Sequence, residues 1–250
     1  MVKRLFLIMI VIFCILGGCY SCAGSEGREE TFILCEGLDV ETTGFIIDSG
    51  QPGPVVYIVG GIHGNEPAGI AAASAFSEYA LKKGRVIVLP RANIEAVKAG
   101  ERSVYWLGDL NRAFPGKERG LEVQELAYEI FTHIADQKPD IVLDLHESRQ
   151  RDPMKNYALG NSIIFSHPEA LEPVMDSVDF LNRHRGNLTP FVYQIDSIPG
   201  TLNQSVTEIL DIPVITLETD VEAAFESRVK DQKSFLDFMI SEWCSFFPSD

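Results

Sequence analysis

The stretch Gly-Gly-Ile-His-Gly-Asn-Glu-Pro-Ala-Gly, residues 60–69, joins an apolar run at residues 55–59 to an alanine-rich segment at residues 67–83. The run predicts a buried strand and the segment predicts a helix, so His63 and Glu66 lie where a strand ends and a helix begins. In open α/β sheets, ligands bind outside the carboxyl ends of the strands. Imidazole nitrogens and carboxylate oxygens are common protein ligands of zinc. The stretch therefore predicts half of a metal site, unless Glu66 only favours the positive end of the helix.

Two further predicted strands end in residues of the same chemistry. Residues 140–145 run into His146, and residues 213–217 run into Glu218. Because the carboxyl ends of parallel strands share one edge of a sheet, we expect these side chains to converge on the first turn. Two histidines and one carboxylate leave an open position on a catalytic zinc ion. The additional carboxylate, Glu218, is suited to take a proton from water and to return it to the leaving nitrogen.

Asp144 lies two residues before His146, so its side chain projects to the same side of the strand. A carboxylate in that place could orient either His146 or His63 as a hydrogen-bond partner of the imidazole. It could equally cap a nearby backbone group, and the sequence leaves both interpretations open.

The order of these elements predicts the fold class. Strand and helix patterns alternate along the chain, which favours an α/β fold, a three-layer α/β/α arrangement around a mostly parallel mixed sheet. The predicted strands are residues 43–48, 55–59, 85–89, 140–145, 163–165, 191–193 and 213–217. The predicted helices are residues 67–83, 121–137, 168–185, 204–210 and 223–246. Residues 91–120 are predicted to form a long irregular segment of functional importance.

The start of the chain predicts export. Lys3 and Arg4 precede an almost unbroken apolar run at residues 5–16, which is too short for a membrane span of about 20 residues. The following Leu-Gly-Gly-Cys, residues 16–19, resembles the lipobox of bacterial lipoproteins, whose cysteine becomes the lipid-modified first residue. An ordinary secretory signal that is cleaved nearby is the alternative.

These features divide the chain into three expected parts. Residues 1–18 are a lipoprotein-type signal peptide, residues 19–30 are a tether that begins with lipidated Cys19, and residues 31–250 are one catalytic domain. The expected location is the bacterial cell envelope, as a membrane lipoprotein or otherwise as a periplasmic or secreted protein. The lipid anchor is then the only contact with the membrane.

The net charge limits the kinds of partner, and the cysteines limit the disulfides that the chain can form. A net charge of −15 argues against nucleic acid as a partner, because phosphate binding relies on Lys and Arg. An exported location permits a disulfide, and a Cys35–Cys244 bond would tie the two ends of the domain together. The pairing itself cannot be read from the sequence.

Four motifs, taken in order, resemble the succinylglutamate desuccinylase/aspartoacylase family of the zinc carboxypeptidase clan. They are Gly-Gly-Ile-His-Gly-Asn-Glu-Pro-Ala-Gly at 60–69, Asp-Leu-Asn-Arg-Ala-Phe-Pro-Gly at 109–116, Asp-Leu-His-Glu at 144–147 and Thr-Leu-Glu-Thr at 216–219. The resemblance extends over about residues 55–220. It implies a zinc-carboxypeptidase-like fold and one zinc ion per chain, held by His63, Glu66 and His146, with Glu218 as the general acid and base.

The same resemblance implies a substrate site. Asn111 and Arg112 would bind a substrate carboxylate, for which the forked guanidinium is well matched. Arg102 lies at about the place of the arginine that polarises the scissile carbonyl, although the loop length differs from the family pattern. Tyr193 is a candidate for a phenol that contacts the substrate.

The expected function is that of a zinc-dependent hydrolase that cleaves an amide bond next to a free carboxylate. The substrate would be an N-acyl amino acid or the end of a short peptide. Only about 30 residues follow Asp220, where aspartoacylases carry a β domain, and the lipobox is foreign to cytosolic catabolism. Both departures keep an exported peptidoglycan or peptide carboxypeptidase open. A metal-binding surface lipoprotein without catalysis is the third possibility.

Overall fold

The computed structural model describes residues 28–149, 159–183, 185 and 188–242. The predicted signal peptide, Cys19, Cys244 and the end of the last predicted helix lie outside these residues. Cys35 is described and buried, but Cys244 is not, so the Cys35–Cys244 disulfide stays a prediction. As a thiol, Cys35 has its pKa raised to about 12 by burial and by nearby acidic side chains.

The described chain forms one eight-stranded mixed sheet. Its strands are β1 Arg28–Leu34, β2 Thr42–Asp48, β3 Val55–Gly60, β4 Arg85–Leu89, β5 Ile141–Ser148, β6 Ser162–Phe165, β7 Val192–Ile195 and β8 Val214–Asp220. Their spatial order is β1-β2-β4-β3-β5-β8-β6-β7. The central strands β4, β3, β5 and β8 are parallel, whereas β2 and β6 join them antiparallel. The carboxyl ends of β3, β5 and β8 therefore share one edge.

Helices cover both faces of the sheet. They are α1 Pro67–Ala75, α2 Ile94–Ala99, α3 Glu122–Gln137, α4 Leu171–Asn182, α5 Leu202–Leu210 and α6 Phe225–Ser241. Alternate residues of β3 point to opposite faces, as the period of a strand requires. Val56 and Ile58 pack in a core with α1, α4 and α6, while Tyr57 and Val59 pack in a second core with α3 and α5. The predicted three-layer α/β/α arrangement is confirmed.

Several boundaries differ from the predictions for identifiable reasons. The predicted helix at 67–83 ends at Ala75 and continues only as a 3-10 turn, Phe76–Glu78, where the Phe76 ring stacks on that of Tyr79. Strand β1 was missed, and it takes the last residues of the predicted tether into the sheet. Its Glu30 is exposed, which suits an edge strand, on which charges discourage further pairing.

The irregular segment predicted at 91–120 contains one short α-helix, α2, and a 3-10 turn at Leu110–Arg112. Asn93 precedes α2, and its side chain accepts a hydrogen bond from the Ala96 N–H. Gly100 ends the helix in the left-handed conformation. Both signals were present in the sequence. Among the described residues, no helix combines the length and the apolar character that crossing a bilayer requires.

Candidate metal centre and substrate cavity

The register of the sheet places two of the predicted site residues side by side. His146 of β5 and Glu218 of β8 are Cα partners in the parallel pair, and Asp144 pairs in the same way with Thr216. Both predicted strands extend further than expected, so His146 and Glu218 lie within the strands rather than after them. The side chains of His146 and Glu218 lie on the face of the sheet that α3 and α5 cover. Val142 on β5 and Val214 on β8 pack on that face, and each is an even number of positions from the site residue of its strand.

The turn after β3 brings His63 and Glu66 to these strands. Glu66 is the N-cap residue of α1, and Pro67 occupies the first helical position. The turn passes very close to α2, because a Cβ atom on Gly64 would lie 1.9 Å from the Ala96 carbonyl oxygen. Only glycine fits there, so the contact fixes the turn and with it His63.

Three buried side chains converge on one point. Glu66 Oε1 lies 2.7 Å from His63 Nδ1, Glu66 Oε2 lies 2.8 Å from His146 Nδ1, and the two Nδ1 atoms are 3.1 Å apart. Donor atoms of a tetrahedral zinc site with bonds of about 2.0–2.1 Å are separated by roughly 3.3 Å. These groups and distances fit a divalent metal ion with little rearrangement. Among the described residues, His63, Glu66 and His146 form the cluster that could hold such an ion.

Electrostatics favours a charged carboxylate at this point. Burial alone would raise the pKa of Glu66, but the charges of His146 and His63 and the hydrogen bonds with them lower it to about 2. His146 is likewise buried, yet Asp144 and Glu66 raise its pKa well above the usual value. Glu66 is therefore ionised at neutral pH, which is the form that a metal ligand requires.

Each imidazole has a carboxylate at its other nitrogen. Asp144 Oδ2 lies 3.1 Å from His146 Nε2, which settles which histidine it orients. Asp109 Oδ1 lies 3.4 Å from His63 Nε2, a contact rather than a well-formed hydrogen bond. Carboxylates in this position fix the tautomer of a ligating histidine and raise its basicity. The sequence reading missed Asp109, although it opens the Asp-Leu-Asn-Arg motif.

Asp109 also holds Arg102 against the centre. Its Oδ2 accepts hydrogen bonds from Arg102 Nη2 and Nε, at 3.0 and 3.2 Å. Arg102 Nη1 then lies 3.4 Å from His63 Nδ1, one of the candidate ligand atoms. Burial would raise the pKa of Asp109, but His63 and the Arg102 guanidinium hold it well below its usual range. Asp109 thus holds the Arg102 guanidinium within 3.4 Å of a candidate ligand atom.

Glu218 is buried beside the candidate ligands without a protein partner for one oxygen. Its Oε2 makes no hydrogen bond within the described chain, and the residue is only 8% exposed. Burial raises its pKa to about 8; the charge of His146 opposes this rise, and the carboxylates of Glu66 and Asp144 add to it. A group that binds protons near neutral pH and has a free oxygen is suited to proton transfer.

Asn111 and Arg112 lie in a 3-10 turn, Leu110–Arg112, at the side of the cavity. The Asn111 Oδ1 atom accepts the Leu202 N–H at 3.0 Å, so its amide nitrogen is the group that remains for a ligand. Arg112 is exposed, and one of its nitrogens donates to the Asn111 carbonyl. None of the ion pairs of the described chain involves Arg112, so its guanidinium has donors available for a carboxylate.

Two neighbouring residues offer no free polar group to a ligand at this site. Glu147 follows His146 and lines the cavity, but its carboxylate accepts the Ala68 N–H and pairs with Arg228 of α6. Tyr193 on β7 does not line the cavity, and its ring instead lies 6.2 Å from that of Phe165. Tyr193 pairs in register with Ile163, whose side chain packs in the core with α1, α4 and α6, whereas Ile164 lines the cavity. The predicted Tyr193 phenol therefore lies on the other face of the sheet.

The site opens into a cavity of about 420 Å³. The lining contains most of the predicted site residues together with further polar and apolar side chains. The lining residues are His63, Glu66, Arg102, Asn111, Arg112, Asp144, Glu147, Ser148, Leu159, Ile164, Asp196, Ile198, Thr201, Asn203, Thr216 and Glu218. The volume is in the range of small-molecule sites.

Comparison with known proteins decides the family. The model of the succinylglutamate desuccinylase/aspartoacylase catalytic domain matches residues 52–215, more than half of the chain. The chain belongs to this family. A curated relative, N-alpha-acetyl-L-2,4-diaminobutyric acid deacetylase of Halomonas elongata, is 40% identical over 98 residues, which are 38% of this chain and 28% of the relative. The resemblance inferred from the four motifs is confirmed, and the family members are hydrolases that remove acyl groups.

Solved structures share the fold. A succinylglutamate desuccinylase/aspartoacylase from Rhodobacter sphaeroides superposes with a TM-score of 0.64 at 22% identity, covering 85% of this chain and 64% of its own. Helicobacter pylori Csd4, described as a D,L-carboxypeptidase, gives 0.65 at 20% identity, covering 79% of this chain and 52% of its own. The matched part thus spans about a quarter of the curated relative and one half to two thirds of these structures.

Proposed function

We propose that this chain is a zinc-dependent hydrolase that cleaves an amide bond next to a free carboxylate. The observation that carries the proposal is the convergence of His63, Glu66 and His146 beside the free oxygen of Glu218. All four side chains are buried at one edge of the sheet, and His63, Glu66 and Glu218 line the cavity. The confirmed family of acyl-removing hydrolases supports the reaction type.

The protein groups divide the work of hydrolysis. A zinc ion held by His63, Glu66 and His146 would supply Lewis acidity and lower the pKa of water to about 7. Glu218 accepts the proton of the attacking water and passes it to the leaving nitrogen, so the carboxylate is regenerated. Arg102, held by Asp109, donates hydrogen bonds to the carbonyl oxygen as negative charge develops there.

The substrate carboxylate is bound at the neighbouring turn. Arg112 offers a bidentate guanidinium, and Asn111 adds an amide donor. The turn is held in place by the Asn111–Leu202 hydrogen bond and by the 3.1 Å bond from the Phe114 N–H to the Gly200 carbonyl. Positioning the carboxylate in this way sets the adjacent amide at the metal centre.

Two substrate classes are compatible with this chemistry. The curated relative is named as a deacetylase of an N-acyl amino acid, whereas Csd4 is named as a D,L-carboxypeptidase. The resemblance of residues 16–19 to a lipobox favours the second class, because peptidoglycan lies outside the cytoplasm. Turnover of N-acyl amino acids, dipeptides and muropeptides by the zinc-loaded protein distinguishes the two. A wild-type protein that turns over none of them while binding zinc would be a metal-binding surface protein.

The exchange Arg112→Lys is expected to lower kcat/KM by roughly ten- to hundredfold for substrates with a free carboxylate. Lysine keeps the charge but loses the paired, forked hydrogen bonds. The effect should be small for the same substrates amidated at that carboxylate. Arg119→Lys makes the same exchange at an exposed position outside the cavity and serves as the control. Equal losses for free and amidated substrates would place the carboxylate elsewhere.

We further propose that the protein is an exported lipoprotein of the cell envelope, anchored through Cys19. The basis is the charged start, the short apolar run and the Leu-Gly-Gly-Cys at residues 16–19, all outside the described residues. In a bacterial host, Cys19→Ser is expected to move the protein out of the membrane fraction or to leave it unprocessed. Cys22→Ser removes a nearby thiol as the control. Unchanged processing and fractionation of the Cys19→Ser variant would favour an ordinary signal peptide.

A further inference from the structure

Two carboxylates of the cavity are not used by the proposed reaction, and one of them, Glu147, is already paired with Arg228. Glu66 belongs to the candidate ligands, Asp144 orients His146, and Glu218 is the proposed base. Asp196 also lines the cavity and has none of these roles. Its Oδ1 accepts the Ser197 N–H at 2.8 Å, and no ion pair of the described residues includes it. An available carboxylate therefore faces the space in which a substrate would lie.

The position of Asp196 is fixed by the fold. Its N–H donates to the Phe165 carbonyl at 3.1 Å, where β7 ends beside β6. The loop that it begins, residues 196–201, then runs back to the turn that carries Arg112. Gly200 permits this approach, because it has a φ of +81° and its Cβ would lie 2.7 Å from the Arg112 carbonyl oxygen. Asp196 and Arg112 thus belong to two loops that are tied together by backbone contacts.

The charged side chains of the cavity differ in whether they are paired with a protein group of opposite charge. Arg102 is neutralised by Asp109, whereas the guanidinium of Arg112 and the carboxylate of Asp196 have no partner of opposite charge within ion-pair distance in the described chain. One available cation and one available anion consequently line a single cavity without pairing with each other. A ligand that satisfies both carries one carboxylate and one ammonium group.

We propose that Asp196 selects substrates that carry a free amino group in addition to the carboxylate beside the scissile amide. The substrate class is then an N-acyl diamino acid or a peptide that ends in a diamino acid. This inference rests on the proposed function, since it assumes that the carboxylate binds at Arg112. Asp196 is a specificity residue here, because it contacts the ammonium group and not the reacting atoms.

The test compares matched substrate pairs with the zinc-loaded protein. N-acetyl-2,4-diaminobutyrate and N-acetylornithine each differ from N-acetylnorvaline and N-acetylnorleucine, respectively, by an ammonium group in place of a methyl group. The ratio of kcat/KM within a pair is expected to favour the amine roughly tenfold, the effect of one charge-assisted hydrogen bond. Asp196→Asn should reduce this ratio to near one, and Asp196→Lys should reverse it. Asp176→Asn removes the same charge from an exposed position of α4 and should leave the ratio unchanged.

Binding of the unacylated amino acids gives a second readout that does not depend on turnover. Calorimetry should show the same preference for diaminobutyrate over norvaline, and the same loss of preference in Asp196→Asn. Turnover of both members of each pair at equal efficiency would overturn the inference while leaving the proposed function intact. If no substrate is turned over, the proposed function fails, and calorimetry alone decides: equal affinity for amine and methyl ligands refutes the role of Asp196.

Discussion

Replacing His63 by alanine is expected to give a folded protein that loses most of its bound zinc. His63 supplies one of the three protein donors, and the remaining carboxylate and imidazole make too small a set for tight binding. Elemental analysis of the purified wild-type and variant proteins measures the loss directly. The melting temperature should confirm it, because zinc at a hundred times its Kd stabilises the wild type by about 2.7 kcal/mol and should not stabilise the variant.

A histidine outside the site provides the control. His167 caps the 3-10 turn Pro168–Ala170, and asparagine retains that capping ability, so His167→Asn removes an imidazole without disturbing the centre. This variant should bind zinc as the wild type does. If His63→Ala does not fold, His63→Gln fills the same buried space. Equal zinc content in the wild type and in a folded His63 variant would exclude His63 as a ligand.

The part of this site that the sequence predicts is the part carried by strand ends. The run before residues 60–69 has no polar alternation, which is the signature of a buried central strand. The same holds before His146 and Glu218. Because parallel strands align their carboxyl ends, three local patterns suffice to predict that the side chains meet. No long-range contact has to be known for that step.

The choice between partners required the register of the sheet. Asp144 was predicted to orient either His63 or His146, and both interpretations agreed with the spacing. In the structure Asp144 and His146 share the face covered by α3 and α5, and their side chains are 3.1 Å apart. The carboxylate beside His63 is instead that of Asp109. Asp109 is 46 positions away along the chain and is brought near His63 by an irregular loop. Hydrophobic periodicity carries no information about the path of such a loop.

The edge strands are the second part of the fold that the sequence did not predict correctly. Charged β1 resembled a polar tether because an exposed edge needs no apolar pattern. Tyr193 was predicted to contact the substrate, but its register with Ile163 places its side chain on the face of the sheet opposite to the cavity. Strand register, which cannot be read from one sequence, decides whether such a residue reaches the site.

Replacing Glu218 by glutamine is expected to lower kcat by roughly 10²- to 10⁴-fold while the bound zinc remains. Glutamine keeps the size of the side chain and its capacity for hydrogen bonds, but it cannot accept the proton of the attacking water. The free Oε2 atom beside the candidate ligands is the oxygen that would do so. Turnover of the best N-acyl or peptide substrate, measured together with the zinc content, separates loss of the base from loss of the metal.

The pH profile distinguishes a lost base from a general disturbance of the site. Burial raises the pKa of Glu218 to about 8 in the absence of a metal ion, and the charge of a bound divalent ion would lower it from that value. Since the ionised form is the active one, kcat/KM of the wild type should fall as the pH drops through the pKa that Glu218 has in the zinc-loaded protein. The residual activity of Glu218→Gln should lack that decline, whereas Glu172→Gln, an exposed exchange on α4, should retain it. Turnover within a few-fold of the wild type in a zinc-loaded Glu218→Gln protein would exclude Glu218 as the base, even with the metal site established.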